Sequence, residues 1–258
     1  MRARGLAIIL VALSATLTAQ SPPASGSAKT WQGRQAAIEE YLRTTPFEKV
    51  QEVPIGVTKP KRGYFPAGGL VRSAAWKQLP PARTKGYWES YRSEIAAYEL
   101  DKFFGMDMVP PVVEKRWNHE LGAAVLWVES VRSWKEVENL PKPDHWHIQV
   151  IRMKMFDNLI GNIDRNAGNL LVDGDWNLYL IDHSRAFISE TKLPVVMSRI
   201  DSVLWERMLA LDEATLTTAI GQWVDRNSIR SVLKRRDVMK TTIETMLKTK
   251  PQALVFVK

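Results

Sequence analysis

The sequence contains no cysteine. That absence excludes disulfides, cysteine-ligated zinc, covalently attached haem and cysteine nucleophiles. Histidine is scarce, at four residues: His119, His145, His147 and His183. Only His145 and His147 lie close together, and a single His-Trp-His fits a loop or core role better than a metal site. Beyond the N-terminal segment no apolar run is long enough to span a bilayer, and no internal repeat is visible. Negative charge is in the minority, with 28 acidic against 36 basic residues and a formal net charge of +8. The basic excess suits phosphate-bearing ligands, acidic proteins or membrane surfaces. A solvated basic surface explains it equally well.

What is present is ordinary for a globular protein. The chain has 258 residues, 45% of them apolar and 25% charged, enough for one large or one two-lobed domain. Arg2 and Arg4 precede the apolar run Leu6–Leu13, and a small-residue exit follows near Ala19 and Gln20. This is the plan of a secretory signal peptide, with an uncleaved anchor as the alternative. Residues 1–19 are therefore expected to be removed, leaving no permanent membrane span. Residues 20–30 are rich in Ser, Pro, Ala and Gly and are expected to be a flexible linker. The protein is expected to be exported: periplasmic or secreted, or lumenal in a eukaryotic secretory pathway.

In residues 31–258, Trp31–Arg43 has helical spacing. Val53–Lys77 has the Gly and Pro punctuation of hairpins, ending in a strand around Ala74–Leu79 from which Lys77 projects. Tyr91–Phe104 is a strong helix stopped by Gly105. Val109–Arg116 and Ala123–Val128 are strands, and His147–Gly161 is a buried helix. Leu170–Val172 and Leu178–Ile181 are short strands about an Asp173-Gly174-Asp175 turn. From Asp201 to about Lys248 the pattern is helical. Strands first and helices after predict an α+β fold, with a small β-rich N-lobe (about 45–128) and a mainly helical C-lobe (about 129–258).

One stretch carries chemistry. A helix ends in a polar loop holding Asp164 and Asn169; a strand, a turn and a second strand then deliver Asp182 beside that loop. Two carboxylates and an amide carbonyl suit a hard cation such as Mg²⁺, and Mg²⁺ suits nucleotide phosphates. The five-residue offset from Asp164 to Asn169, with a hairpin leading to a later Asp, is the spacing of a protein-kinase catalytic loop.

The segments LIGNIDRNAGNLL and YLIDHSRAF resemble the catalytic core of secretory-pathway atypical kinases, the Golgi casein kinase and four-jointed group. They are also similar to the cores of phosphatidylinositol 3-/4-kinases and HipA-like kinases. The resemblance is densest over Phe156–Phe187 and implies an ATP- and Mg²⁺- (or Mn²⁺-) dependent kinase of protein-kinase-like fold. It implies Asp164 as the catalytic base or hydroxyl-orienting group, and Asn169 and Asp182 as metal ligands. It further implies Lys77 at the nucleotide phosphates, Glu94 paired with Lys77, and Glu129, with Trp127 and Val128, at the hinge beside adenine. Val57–Gly69 is the candidate loop over the phosphates, although it lacks G-x-G-x-x-G. The implied partners are a nucleotide and a hydroxyl-bearing substrate: protein Ser/Thr, sugar or small molecule. No nucleic acid is expected. Three departures stand out: Asn166 replaces the His of the lipid kinases, His183 and Ser184 replace the Phe and Gly of D-F-G, and the disulfides of the secretory kinases cannot form. Two alternatives follow: an exported pseudokinase acting as a binding module, and a phosphatidylinositol-type lipid kinase.

Overall fold

The computed structural model describes residues 27–53, 60–84 and 86–258. The expected signal peptide and residues 20–26 of the expected linker lie outside the described residues. So do residues 57–59 of the candidate phosphate loop.

At the other end of the expected linker, Ala28 donates its amide to Asp173 Oδ2 at 2.9 Å, and Lys29 is buried. Trp31 is buried as well, packed edge-on against Tyr179. Helical spacing begins at Trp31, but the helix α1 is Gln35–Thr44. Gly33, at φ 71°, sits in the left-handed region and separates Trp31 from it.

Strands β1 (Lys49–Glu52), β2 (Lys61–Tyr64) and β3 (Ser73–Lys77) come next. A short hairpin, β4 (Ala82–Thr84) and β5 (Tyr87–Glu89), leads into helix α2 (Tyr91–Phe104). Strands β6 (Val112–Trp117) and β7 (Glu120–Leu126) close the sheet, whose order is β1-β2-β3-β7-β6 with every pair antiparallel. The two residues joining β6 to β7, Asn118 and His119, both have positive φ, which matches the right-handed strand twist in a tight hairpin. Gly122 faces the carbonyl of Lys77 so closely that a Cβ there would sit 2.5 Å from it.

Part of the candidate phosphate loop is not a loop. Lys61–Tyr64 is β2, and Gly63 lies beneath Phe47, where a Cβ would meet the ring at 2.4 Å. Gly63 is therefore a packing glycine. The connection between β1 and β2 is residues 53–60, most of which lie outside the described residues.

Helix α2 begins where the Ser90 hydroxyl accepts the Arg92 amide. It ends at Gly105, left-handed at φ 61°. Strand β8 (Arg132–Ser133) and helix α3 (Trp134–Val137) precede the buried helix α4 (Trp146–Ile160). Strands β9 (Leu170–Val172) and β10 (Leu178–Leu180) pair antiparallel, with β8 on the outer side of β9. After them come β11 (Ile200–Asp201) and helices α5 (Ser202–Leu209), α6 (Glu213–Ile220), α7 (Arg226–Thr249) and α8 (Gln252–Val255). The last strand, β12 (Phe256–Val257), pairs in parallel with β11.

The large core joins α2 to α4 and the helices after it, with Phe104, Met155, Phe156, Leu159 and Met208 fully buried. A smaller core lies between α1 and the sheet, around Trp31, Ile38, Leu42 and Tyr179. The architecture is α+β: an antiparallel sheet with two helices, then a mainly helical half. Among the described residues no helix is long and apolar enough to cross a membrane.

Candidate active site

Lys77 is the last residue of β3, and Glu94 lies in the first turn of α2. Both are buried, and the Lys77 ammonium donates to Glu94 Oε1 at 2.6 Å and to Asp182 Oδ1 at 3.1 Å. The other Glu94 oxygen accepts the His183 amide at 3.0 Å. One carboxylate thus ties strand, helix and the Asp182–His183 segment together. Burial opposes charge on Lys77, but Glu94 and Asp182 outweigh it and hold its pKa above the ordinary lysine range. Burial works against Asp182 as well. Lys77 and the Ser184 hydroxyl overcome it and hold the carboxyl down at about 2.

Asp182 lies two residues after the end of β10 and adopts φ 61°. A non-glycine residue in the left-handed region costs free energy and persists only where its surroundings impose it. Here the Ile181 amide donates to the Asn169 carbonyl at 3.1 Å, Lys77 grips the side chain, and Glu94 holds the next amide. The Ile181–Asn169 bond sets the start of this turn beside Asn169.

That loop follows α4, whose cap Gly161 is left-handed at φ 65°. The Asn169 side-chain amide donates to the Asp164 carbonyl at 2.9 Å, and the Asn166 side chain accepts the Gly168 amide at 2.8 Å. Arg165 is the brace. It bonds both Asp157 oxygens at 2.9 and 3.0 Å, the carbonyls of Asn169 and Ile181 at 3.0 and 2.8 Å, and His183 Nε2 at 2.8 Å. Because a guanidinium only donates, His183 Nε2 accepts and its proton sits on Nδ1. Burial, reinforced by Arg165 and Lys77, holds this histidine neutral, with its pKa far below the ordinary value. His183 Nδ1 has no hydrogen-bond partner among the described residues; Glu94 Oε2 is 3.9 Å away.

Asp164 is the most open of the group, with its side chain 39% exposed. Its Oδ2 accepts from Arg185 at 3.2 Å, and Arg185 also bonds Glu89 on β5 at 2.6 and 2.8 Å. The hairpin before α2 is therefore wired to Asp164. Glu129 stands apart from this set: its carboxylate pairs with Arg62 of β2, and Arg62 in turn stacks on Trp127 at 4.1 Å.

The oxygens left over define what the site can hold. Asp182 Oδ2, Asn169 Oδ1 and Asp164 Oδ1 accept no hydrogen bond among the described residues. A charged carboxylate and an amide oxygen fit Mg²⁺ or Mn²⁺, ions that take their remaining ligands from water and phosphate. No group of three or more His, Cys, Asp or Glu able to cage a metal exists among the described residues.

No protein-family model matches the chain. The structure superimposes on the crystal structure of the Golgi casein kinase with Mn/ADP bound, with a TM-score of 0.65 at 14% identity, covering 88% of this chain and 79% of that one. The fold is protein-kinase-like. The structure of hydra Fam20 with sugar aligns equally well, with a TM-score of 0.66 at 14% identity, covering 86% and 92%. In sequence, the chain is 28% identical over 186 residues to a 3-deoxy-D-manno-octulosonic acid kinase of Photobacterium profundum, covering 67% of this chain and 75% of that protein.

Several residues that shape the site carry no signal of their own in sequence. Arg165 lies inside the motif, but its four partner residues span positions 157 to 183. Glu89 and Arg185 are separated by 96 positions, so only folding brings them together. His183 is visible as a replacement in the motif, yet nothing local predicts that Arg165 would fix its tautomer.

Proposed function

We propose that the chain is an ATP- and Mg²⁺-dependent phosphotransferase acting on a hydroxyl group, and that it works after export. The observation that carries this reading is the convergence of Lys77, Glu94 and Asp182 beside the Asp164–Asn169 loop. Lys77, oriented by Glu94, binds nucleotide phosphates with a fixed positive charge. Asp182 and Asn169 hold the divalent ion, which offsets phosphate charge when bound. Asp164 orients the acceptor hydroxyl and takes its proton. The acceptor oxygen forms a bond to the γ-phosphorus, the bond from that phosphorus to the β–γ bridging oxygen breaks, and ADP leaves. Glu129, with Trp127, borders the adenine side of the cleft through its backbone, since its carboxylate is taken by Arg62. Likeness to the Golgi casein kinase and hydra Fam20 in structure, and to a sugar-acid kinase in sequence, supports a kinase acting on a hydroxyl.

The test separates binding from transfer. Asp182→Ala is expected to abolish Mg²⁺-dependent stabilisation by ATP in a thermal-shift assay. Asp164→Ala is expected to keep that stabilisation while lowering the transfer rate by roughly 10²–10⁴. Parent-like behaviour of both variants would remove the assignment.

A further inference from the structure

The residues that follow Asp182, from His183 to Ala186, bond one short span running from the end of β5 into α2. His183 donates its amide to Glu94 Oε2 at 3.0 Å. The Ser184 carbonyl accepts the Ser90 amide at 2.9 Å. Arg185 bonds Glu89, and the Ala186 carbonyl accepts the Ser93 hydroxyl at 3.3 Å. Glu89, Ser90, Ser93 and Glu94 are all buried. The span that carries Glu94, and through it directs Lys77, is thus stitched to the chain on both sides of Arg185. Within this clasp the Arg185 guanidinium is itself fixed. Its Nε and Nη2 lie 2.8 and 2.6 Å from Glu89 Oε1, and its centre sits 4.7 Å from the Tyr87 ring. The third nitrogen, Nη1, donates to Asp164 Oδ2 at 3.2 Å.

We infer that Arg185 is a positioning residue: anchored by Glu89, it turns the Asp164 carboxylate so that Oδ1 faces the acceptor hydroxyl. The inference rests on the phosphotransferase reading and adds a residue to it. The two ion pairs of Arg185 differ in what they can do. Glu89 is 5% exposed, and a buried carboxylate is costly without a close cation. That pair fixes the guanidinium. Asp164 is far more open, so water screens its charge, and a single contact to it adds little stability. What this contact supplies is direction. A free carboxylate turns broadly about its last bond, whereas one with an oxygen held presents the other. Oδ2 is held, and Oδ1 accepts no hydrogen bond among the described residues, which leaves it for the hydroxyl proton. An arginine suits the task because its planar fork grips Glu89 with one edge and still reaches Asp164 with the remaining nitrogen. Glu89 therefore acts on Asp164 through Arg185, and the same clasp that orients Lys77 orients the group at the acceptor end.

The experiment measures Mg-ATP binding by calorimetry and phosphate transfer to three acceptors: water, a hexose and an acidic serine peptide. Arg185→Gln is expected to lower kcat by about 10–100-fold, the cost of a misaligned reacting group, while KM for ATP and the Mg-ATP dissociation constant stay within about twofold. The factor is expected to be the same for every acceptor the parent uses, because Arg185 acts on Asp164 and not on the substrate. Arg185→Lys keeps the charge without the fork and is expected to recover only part of the loss. Glu89→Gln is expected to give a smaller loss, and Glu89→Gln/Arg185→Gln to be no slower than Arg185→Gln alone, since the two residues act in series. The double variant also removes both charges of the buried pair together, so its kcat reads alignment even where Arg185→Gln alone folds poorly. An unchanged kcat in the double variant, an equal fall in Mg-ATP binding, or losses that multiply would overturn the inference and leave the phosphotransferase reading intact. A parent that transfers phosphate to none of the three acceptors would strike that reading instead, and the role of Arg185 with it.

Discussion

Lys77 and Glu94 form a buried ion pair, and the energetics of such pairs are asymmetric. Two charges removed from water are compensated only while both remain. Lys77→Met leaves Glu94 buried without its cation, with only the His183 amide to bond it, so burial favours its uptake of a proton. We expect a loss of about 3–5 kcal/mol in urea denaturation, and partial recovery in the double variant Lys77→Met/Glu94→Gln. Asp182 has the opposite relation to pH. Its carboxyl is held at about 2 in the fold against an ordinary 3.8. A depressed folded pKa stabilises the protein above the unfolded value and loses that contribution as pH falls through the folded one. The stability gap between the parent and Asp182→Asn is therefore expected to be widest above about pH 4, at roughly 2 kcal/mol, and to close toward pH 2. A gap independent of pH over that interval would show that Asp182 is not held ionised by Lys77.

Among the elements, α4 and the loop after it depend on a residue far along the chain. Arg235 of α7 is fully buried, and it donates to the carbonyls of Leu159, Ile188 and Glu190 at 2.8–2.9 Å. Burial lowers its pKa to about 10, which still leaves it charged at neutral pH. The guanidinium packs on Gly161, where a Cβ would meet Arg235 Cζ at 2.7 Å and the backbone is left-handed. Gly105, capping α2, shares the conformation but has more room, with its nearest neighbour at 3.4 Å. Gly105→Ala is expected to cost about 1–2 kcal/mol for the left-handed backbone alone. Gly161→Ala adds overpacking against an anchored side chain, about 1–3 kcal/mol more. Equal costs by urea denaturation would contradict the packing described. Helices α2 and α4 were legible because apolar spacing and a terminal glycine are local signals. The β4–β5 hairpin and the β11–β12 pair were not. Arg83-Thr84-Lys85-Gly86 carries no hairpin pattern distinguishable from loop, and a two-residue parallel pair is a product of tertiary contact alone.

Over the whole molecule, the loop joining β1 to β2 was the least legible feature. Glycines suggested a phosphate loop across 57–69, but Gly63 is spent on packing under Phe47 and the β1–β2 connection falls earlier. Asp164, Asn169 and Asp182 were readable as a set from their kinase-like spacing, whereas Lys77 and Glu94 came only from the resemblance; the structure brings Lys77, Glu94 and Asp182 into contact. Arg165, Arg185 and Glu89, which hold that set in place, were hidden because their partners are up to 96 positions away. Their arrangement implies that the two halves of the fold are coupled through charge: Lys77 and Glu94 from the sheet side, Asp182 from the helical side. A nucleotide bound with its metal between them would stabilise the whole chain. Isothermal calorimetry of the chain with ATP, with and without Mg²⁺, tests this most directly. The account predicts binding that requires Mg²⁺ and disappears in Asp182→Ala. Binding that ignores both the metal and that substitution, or no binding at all, would contradict it.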